Sequence, residues 1–291
     1  MFIITQLIGL FVVSTYVNGL ELPYGMEPPA ELKEKPQGLQ IIFSFVFAIV
    51  LFFLLIKLNA ETFIRLWFFA VITIALALAF NALLQTVIIP YKPIIAVACA
   101  LPLSYMKIFK RNLYVHNFTE LLIYPGIAAV FVSLLNVLWI CIILLVISLY
   151  DIWAVWHSQF MEKMAKYQIN NLKFFTGFFM PYMGKKEKRK FQFLKTKYTN
   201  KPAQLESQLK KAKIRVSLAI LGGGDIVFPI ITAGVFYKTY ASIFPSLIII
   251  ASATFALLFL FVTAQKGKFY PAMPFITIGM YLGMIVSWII F

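Results

Sequence analysis

Two aspartates, Asp151 and Asp225, are the only ones in the chain, and both fall inside long apolar runs. An ionisable side chain at the centre of a membrane helix costs roughly 2.5–3.5 kcal/mol even on lenient insertion scales, so an acid kept there is a functional candidate. The nine remaining acids are all Glu, which the sequence pattern places in loops or near helix ends. Two carboxylates brought together in a low-dielectric site share a proton and titrate as a pair. The ionised member can take a proton from an attacking water while the protonated one polarises a carbonyl, and either Asp can take either part. The same pair can also carry protons or cations across a membrane. On the two aspartates alone, the two chemistries stand equal.

Their neighbours favour catalysis. Gly222, Gly223 and Gly224 immediately precede Asp225. Glycine in a helix interior costs about 1 kcal/mol relative to alanine, so three in a row need an offsetting use. Close approach of another backbone, a partner side chain or a substrate chain is such a use. Tyr150 directly precedes Asp151, and near the C-terminus Tyr270-Pro271-Ala272-Met273-Pro274 sets two prolines around two residues. Proline lacks an amide donor and disfavours helix in the residue before it, so this stretch is expected to be extended or kinked. Its free backbone groups suit pairing with a substrate strand, and Ala272 is small enough to admit one.

The elements that must hold these residues are membrane helices. Of the 291 residues, 62% are apolar and only 13% charged, values of a membrane protein rather than a soluble one. Windows of about 20 apolar residues lie near 2–19, 39–58, 62–84 and 86–106. The apolar stretch 120–157 is too long for one crossing and must turn near Ser133–Asn136, and three more windows follow at 214–236, 240–264 and 269–290. The expectation is an all-α polytopic membrane protein of nine transmembrane helices. It divides into an N-terminal membrane half (1–157), a basic loop (158–213) and a C-terminal membrane half (214–291). The first window has no Lys or Arg before it and ends in a poor cleavage site, so it is read as a retained span and not a signal peptide.

Of the 26 Lys and Arg residues, 22 fall in one alternating set of loops, 2/3, 4/5, 6/7 and 8/9. Positive loops stay in the cytoplasm, which puts the N-terminus inside and the C-terminus outside. The net charge of +15 therefore belongs to topology and to anionic headgroups, and no nucleic-acid motif accompanies it. Cys99 and Cys141 sit in apolar segments without a CxxC pair, His116 and His157 stand apart, and no HExxH occurs, so neither metal nor cofactor is expected. Asn117-Phe118-Thr119 matches a glycosylation sequon but falls in a cytoplasmic loop. Asn117 followed by Glu120 reads instead as a helix-start capping pair.

Taken together, Ile147-Ser148-Leu149-Tyr150-Asp151, Gly222-Gly223-Gly224-Asp225 and Pro271-Ala272-Met273 resemble the Tyr-Asp, GxGD and Pro-Ala-Leu motifs of the presenilin and signal peptide peptidase family, in order and spacing. The flanking Asp151-Ile152-Trp153-Ala154-Val155 and Gly224-Asp225-Ile226-Val227-Phe228-Pro229 look most like its archaeal branch. Two positions stand out: Met273 occupies the usual Leu site, and Gly223 the variable site of GxGD. The resemblance implies a nine-span fold and cleavage of peptide bonds within transmembrane helices, with Asp151 and Asp225 catalytic. It also implies that Tyr150, the three glycines, Pro271, Ala272 and Met273 support the site. The partners implied are transmembrane protein substrates and the lipid bilayer, with a homo-oligomer left open and no nucleic acid. The alternatives are a proton or cation transporter or leak channel using the same pair, or a prepilin-peptidase-like GxGD protease.

Overall fold

The computed structural model describes residues 1–27, 38–58, 60–110, 112–157, 176–182, 189, 217–263 and 270–291. Nine α-helices lie among them: α1 (Phe2–Val17), α2 (Gly38–Lys57), α3 (Glu61–Leu84), α4 (Lys92–Phe109), α5 (Leu113–Leu134), α6 (Val137–Ile152), α7 (Gly223–Tyr240), α8 (Ile243–Thr263) and α9 (Met273–Ile290). α6 runs on through one π-helical turn, Trp153–His157. Six helices, α3, α4, α5, α6 with its π turn, α8 and α9, are long and apolar enough to cross a membrane. The chain is thus a polytopic, multi-pass membrane protein.

The chain divides into two units. Residues 177–221 form one, and β1 (Gly177–Tyr182) pairs with β2 (Ser217–Gly222) as a two-stranded ribbon beside an otherwise all-α architecture. Residues 1–176 and 222–291 form the other, helical unit.

In the helical unit α1 lies against α5 and α7. Val12 and Val13 are wholly buried, and a methyl added at Gly9 would come within 2.5 Å of Ile230 Cγ2. Gln6 donates from inside this contact to the Ile226 carbonyl at 2.9 Å. The first window is therefore an integral helix of the bundle. α5 closes on α3 where Gly126 faces the Ala75 carbonyl, so near that a Cβ there would overlap it. The expected turn between spans five and six is present. α5 stops at Leu134, and Asn136 caps α6 by accepting from the Trp139 amide at 2.9 Å.

Several boundaries differ from expectation. α4 runs over Lys92–Phe109 instead of 86–106, and α5 starts at Leu113, ahead of the expected 120. The window 214–236 is not one helix, because Ser217–Gly222 is extended and α7 begins at Gly223. An apolar run of that length suits a strand as well as a helix, and the glycines end it. α9 begins at Met273 instead of 269, after the non-helical Tyr270–Pro271, as the prolines require. Finally, Asn117 does not cap α5. Asn112 does, accepting from the Tyr114 amide at 2.9 Å, which carries Glu120 two turns into the helix. Most of the basic loop 158–213 lies outside the described residues.

Candidate active site

Asp151 occupies the last turn of α6 and is 5% exposed. Its Oδ2 accepts a hydrogen bond from the Met273 amide at 3.1 Å. Met273 is the first residue of α9, so the carboxylate sits on a helix N-terminus. There an otherwise unpaired N–H and the helix dipole both favour a negative group. The non-helical Pro271 and the N-cap Ala272 lead directly into this contact. Tyr150 is half-buried, its ring tilted against Trp153 of the π turn with centroids 6.3 Å apart.

Asp225 also stands at a helix start. Gly222 is the N-cap of α7, which makes Asp225 its third helical residue. From there the Asp225 carboxylate turns back over Gly222. This is the direction an acid at the third helical position takes in a capping box. A glycine N-cap has no side chain to obstruct it.

The glycines have separate uses. A Cβ at Gly222 would meet Asp225 Oδ2 at 3.1 Å, and one at Gly223 would meet Tyr124 Cε1 at 2.9 Å and its hydroxyl at 3.0 Å. At Gly224 the nearest atom would be Phe228 Cε2 at 4.0 Å, so that flank is open. None of the three has positive φ, so room and not backbone strain explains them. They stand at the helix start, where glycine's entropic cost is smaller than in the interior the sequence reading assumed.

α6 contacts both α7 and α9, and these contacts bring Asp151 within electrostatic range of Asp225. Tyr150 and Asp151, Gly222 to Asp225, and Pro271 to Met273 fall on these three helix ends. The stretch just before Asp225, 217–222, is extended, so the two aspartates meet at the helix N-termini of α7 and α9.

A second polar group was not anticipated. Lys107, in the last turn of α4, and Glu120 of α5 form an ion pair at 2.5 Å with side chains 0% and 1% exposed. His116 stands 3.2 Å from Lys107 Nζ and 3.6 Å from Glu120, so it is not isolated. Tyr124, buried one turn beyond Glu120, interacts with Glu120 and with Asp225. The spacing of His116, Glu120 and Tyr124, four residues apart on one helix face, is the signal that points to this group.

The family model for "Signal-peptide peptidase, presenilin aspartyl protease" matches residues 1–291, the whole chain. The chain belongs to this family. The fold is also similar to two solved structures of a presenilin family intramembrane aspartate protease, in C222 and P2 space groups. Each has a TM-score of 0.61 at 16% identity, covering 100% of this chain and 97% or 96% of the other. No curated protein matches the sequence. A presenilin-like fold and an aspartyl protease family assignment thus coincide with a site holding the chain's only two aspartates.

Proposed function

We propose that this member of the family is an intramembrane aspartyl endopeptidase that hydrolyses peptide bonds within the transmembrane helices of protein substrates. The observation that carries the reading is the approach of Asp151 and Asp225, each at the start of a helix, Asp151 held by the first amide of α9 and Asp225 in the first turn of α7. One carboxylate, ionised, takes a proton from a water as its oxygen adds to the peptide carbonyl carbon. The other, protonated, donates to the carbonyl oxygen. Collapse of the resulting gem-diol breaks the C–N bond: the proton held by the first Asp passes to the departing amine, and one hydroxyl proton returns to the second Asp as the new carboxyl forms. No metal or cofactor enters this scheme.

A helical peptide bond is already paired within its own helix, so the substrate must unwind before water can reach it. The open flank at Gly224 and the non-helical Pro271–Ala272 segment support a place for the unwound strand. Met273 lies where its side chain would tune sequence preference, and its amide would hold Asp151. Tyr150, beside Asp151, would line the same cleft. We further propose nine spans, with 158–213 cytoplasmic and the C-terminus external, the orientation that the Lys and Arg distribution supports.

The test is cleavage of a transmembrane substrate by the purified protein reconstituted in lipid, with products mapped by mass spectrometry. Asp151→Asn and Asp225→Asn should each abolish it, lowering turnover by at least about a thousandfold, or about 4 kcal/mol of barrier. Cleavage that survives either substitution defeats the reading. So does a protein whose two Asn variants alter only ion flux.

A further inference from the structure

α5 carries His116, Glu120 and Tyr124 on one face, each buried and each a turn from the next. Glu120 is fixed by Lys107 from α4, with both side chains all but inaccessible. A buried ion pair is expensive to assemble, and removing one partner leaves an uncompensated charge, so such a pair is weak evidence for stability alone. In a membrane protein it marks function by default. The far end of this face supplies one. Tyr124 lies against the backbone at Gly223, where only glycine fits, and its hydroxyl is within electrostatic range of Asp225 two residues on. Gly126, two residues beyond Tyr124, locks α5 against α3, so the tyrosine has little freedom to move away.

We propose that Tyr124 is a positioning residue for Asp225, held in place by the Lys107–Glu120–His116 group. Its hydroxyl and ring fix the start of α7, so that the Asp225 carboxylate stays aimed at Asp151. The inference rests on the protease reading for its kinetic consequence and on geometry alone for its structural one.

Tyr124→Phe keeps the ring against Gly223 and removes only the hydroxyl. We expect wild-type thermal unfolding, an unchanged KM and a kcat lower by about tenfold, the direction and scale expected when a catalytic carboxylate is less well aimed. Because Glu120→Gln risks misfolding by stranding Lys107, the paired Lys107→Met/Glu120→Met variant serves as the second arm. It should fold, show a similar fall in kcat, and add little when combined with Tyr124→Phe, since groups acting as a unit are not additive. An independent readout is the infrared carboxyl band of Asp225, assigned by its loss in Asp225→Asn, which Tyr124→Phe should shift. Wild-type kcat and an unmoved band in Tyr124→Phe overturn the proposal while leaving the protease intact. A band that moves in a protein that cleaves nothing upholds the Tyr124 contact and sinks the protease instead.

Discussion

At the scale of single residues, the aspartates could be found from sequence because their burial in an apolar run has no inexpensive explanation. Their supports could not. A backbone amide leaves no mark in a sequence, so the Met273 donor to Asp151 is visible only once α9 is seen to start there. Tyr124 sits in an apolar run where a tyrosine looks like packing, and Glu120 follows Asn117 at the spacing of a cap. The glycines were legible as a group but not individually, and the structure separates them in a way that can be measured. Gly223→Ala would press a methyl to 2.9 Å from a buried, braced ring. That overpacking should cost about 1–3 kcal/mol in thermal unfolding and displace Asp225, cutting turnover. Gly224→Ala meets only an ordinary contact at 4.0 Å. It should leave stability unchanged or raise it by up to about 1 kcal/mol. It should still raise KM, because the open flank beside Asp225 is where the substrate backbone would approach. Equal unfolding temperatures for the two variants would show that Tyr124 can yield.

At the scale of helices and turns, apolar windows located the membrane helices closely, since about 20 residues are needed to cross and few other structures demand them. They placed the ends of the seventh and ninth windows less well. Window hydropathy does not distinguish the extended Ser217–Gly222 from a first helical turn, and the two prolines at 271 and 274 move the helix start by only a few residues. The turn after α5 shows how ends are held. Lys238 of α7 donates to the carbonyls of Val132, Ser133 and Leu135 at 3.2, 3.1 and 3.5 Å. Those are the orphan acceptors of a helix C-terminus, where a cation also meets the negative end of the dipole. Lys238→Met should therefore lower stability by about 1–2 kcal/mol in denaturant or thermal unfolding. Its distance from Asp225, about 20 Å along α7, should leave kcat per folded molecule at the wild-type value. A kcat that falls with stability retained would mean that the two ends of α7 are mechanically linked.

At the scale of the whole molecule, the multi-pass membrane class is legible in the apolar windows, and the alternation of charge between them supports the proposed orientation. Lys107 shows the limit of counting: it was counted with the basic loops, yet its ammonium is buried against Glu120. Setting it aside still leaves the basic residues overwhelmingly in one alternating set of inter-window segments, dominated by the one around Lys185–Lys190. The opposite set includes the Glu21–Gly38 stretch, which carries four Glu against two Lys. This predicts a sidedness that thiol labelling can read. In a Cys99→Ala/Cys141→Ala background, Glu27→Cys, at an exposed position, should react with a membrane-impermeant maleimide in intact cells. Lys188→Cys should react only after permeabilisation. The proposed orientation would open the proposed cleft toward the cytoplasm, because in chain order Asp151 comes just before the basic segment and Asp225 just after it. Substrates would then be cut from the cytoplasmic half of their membrane spans. The reverse labelling pattern would place the cleft, and its cleavage sites, on the external side.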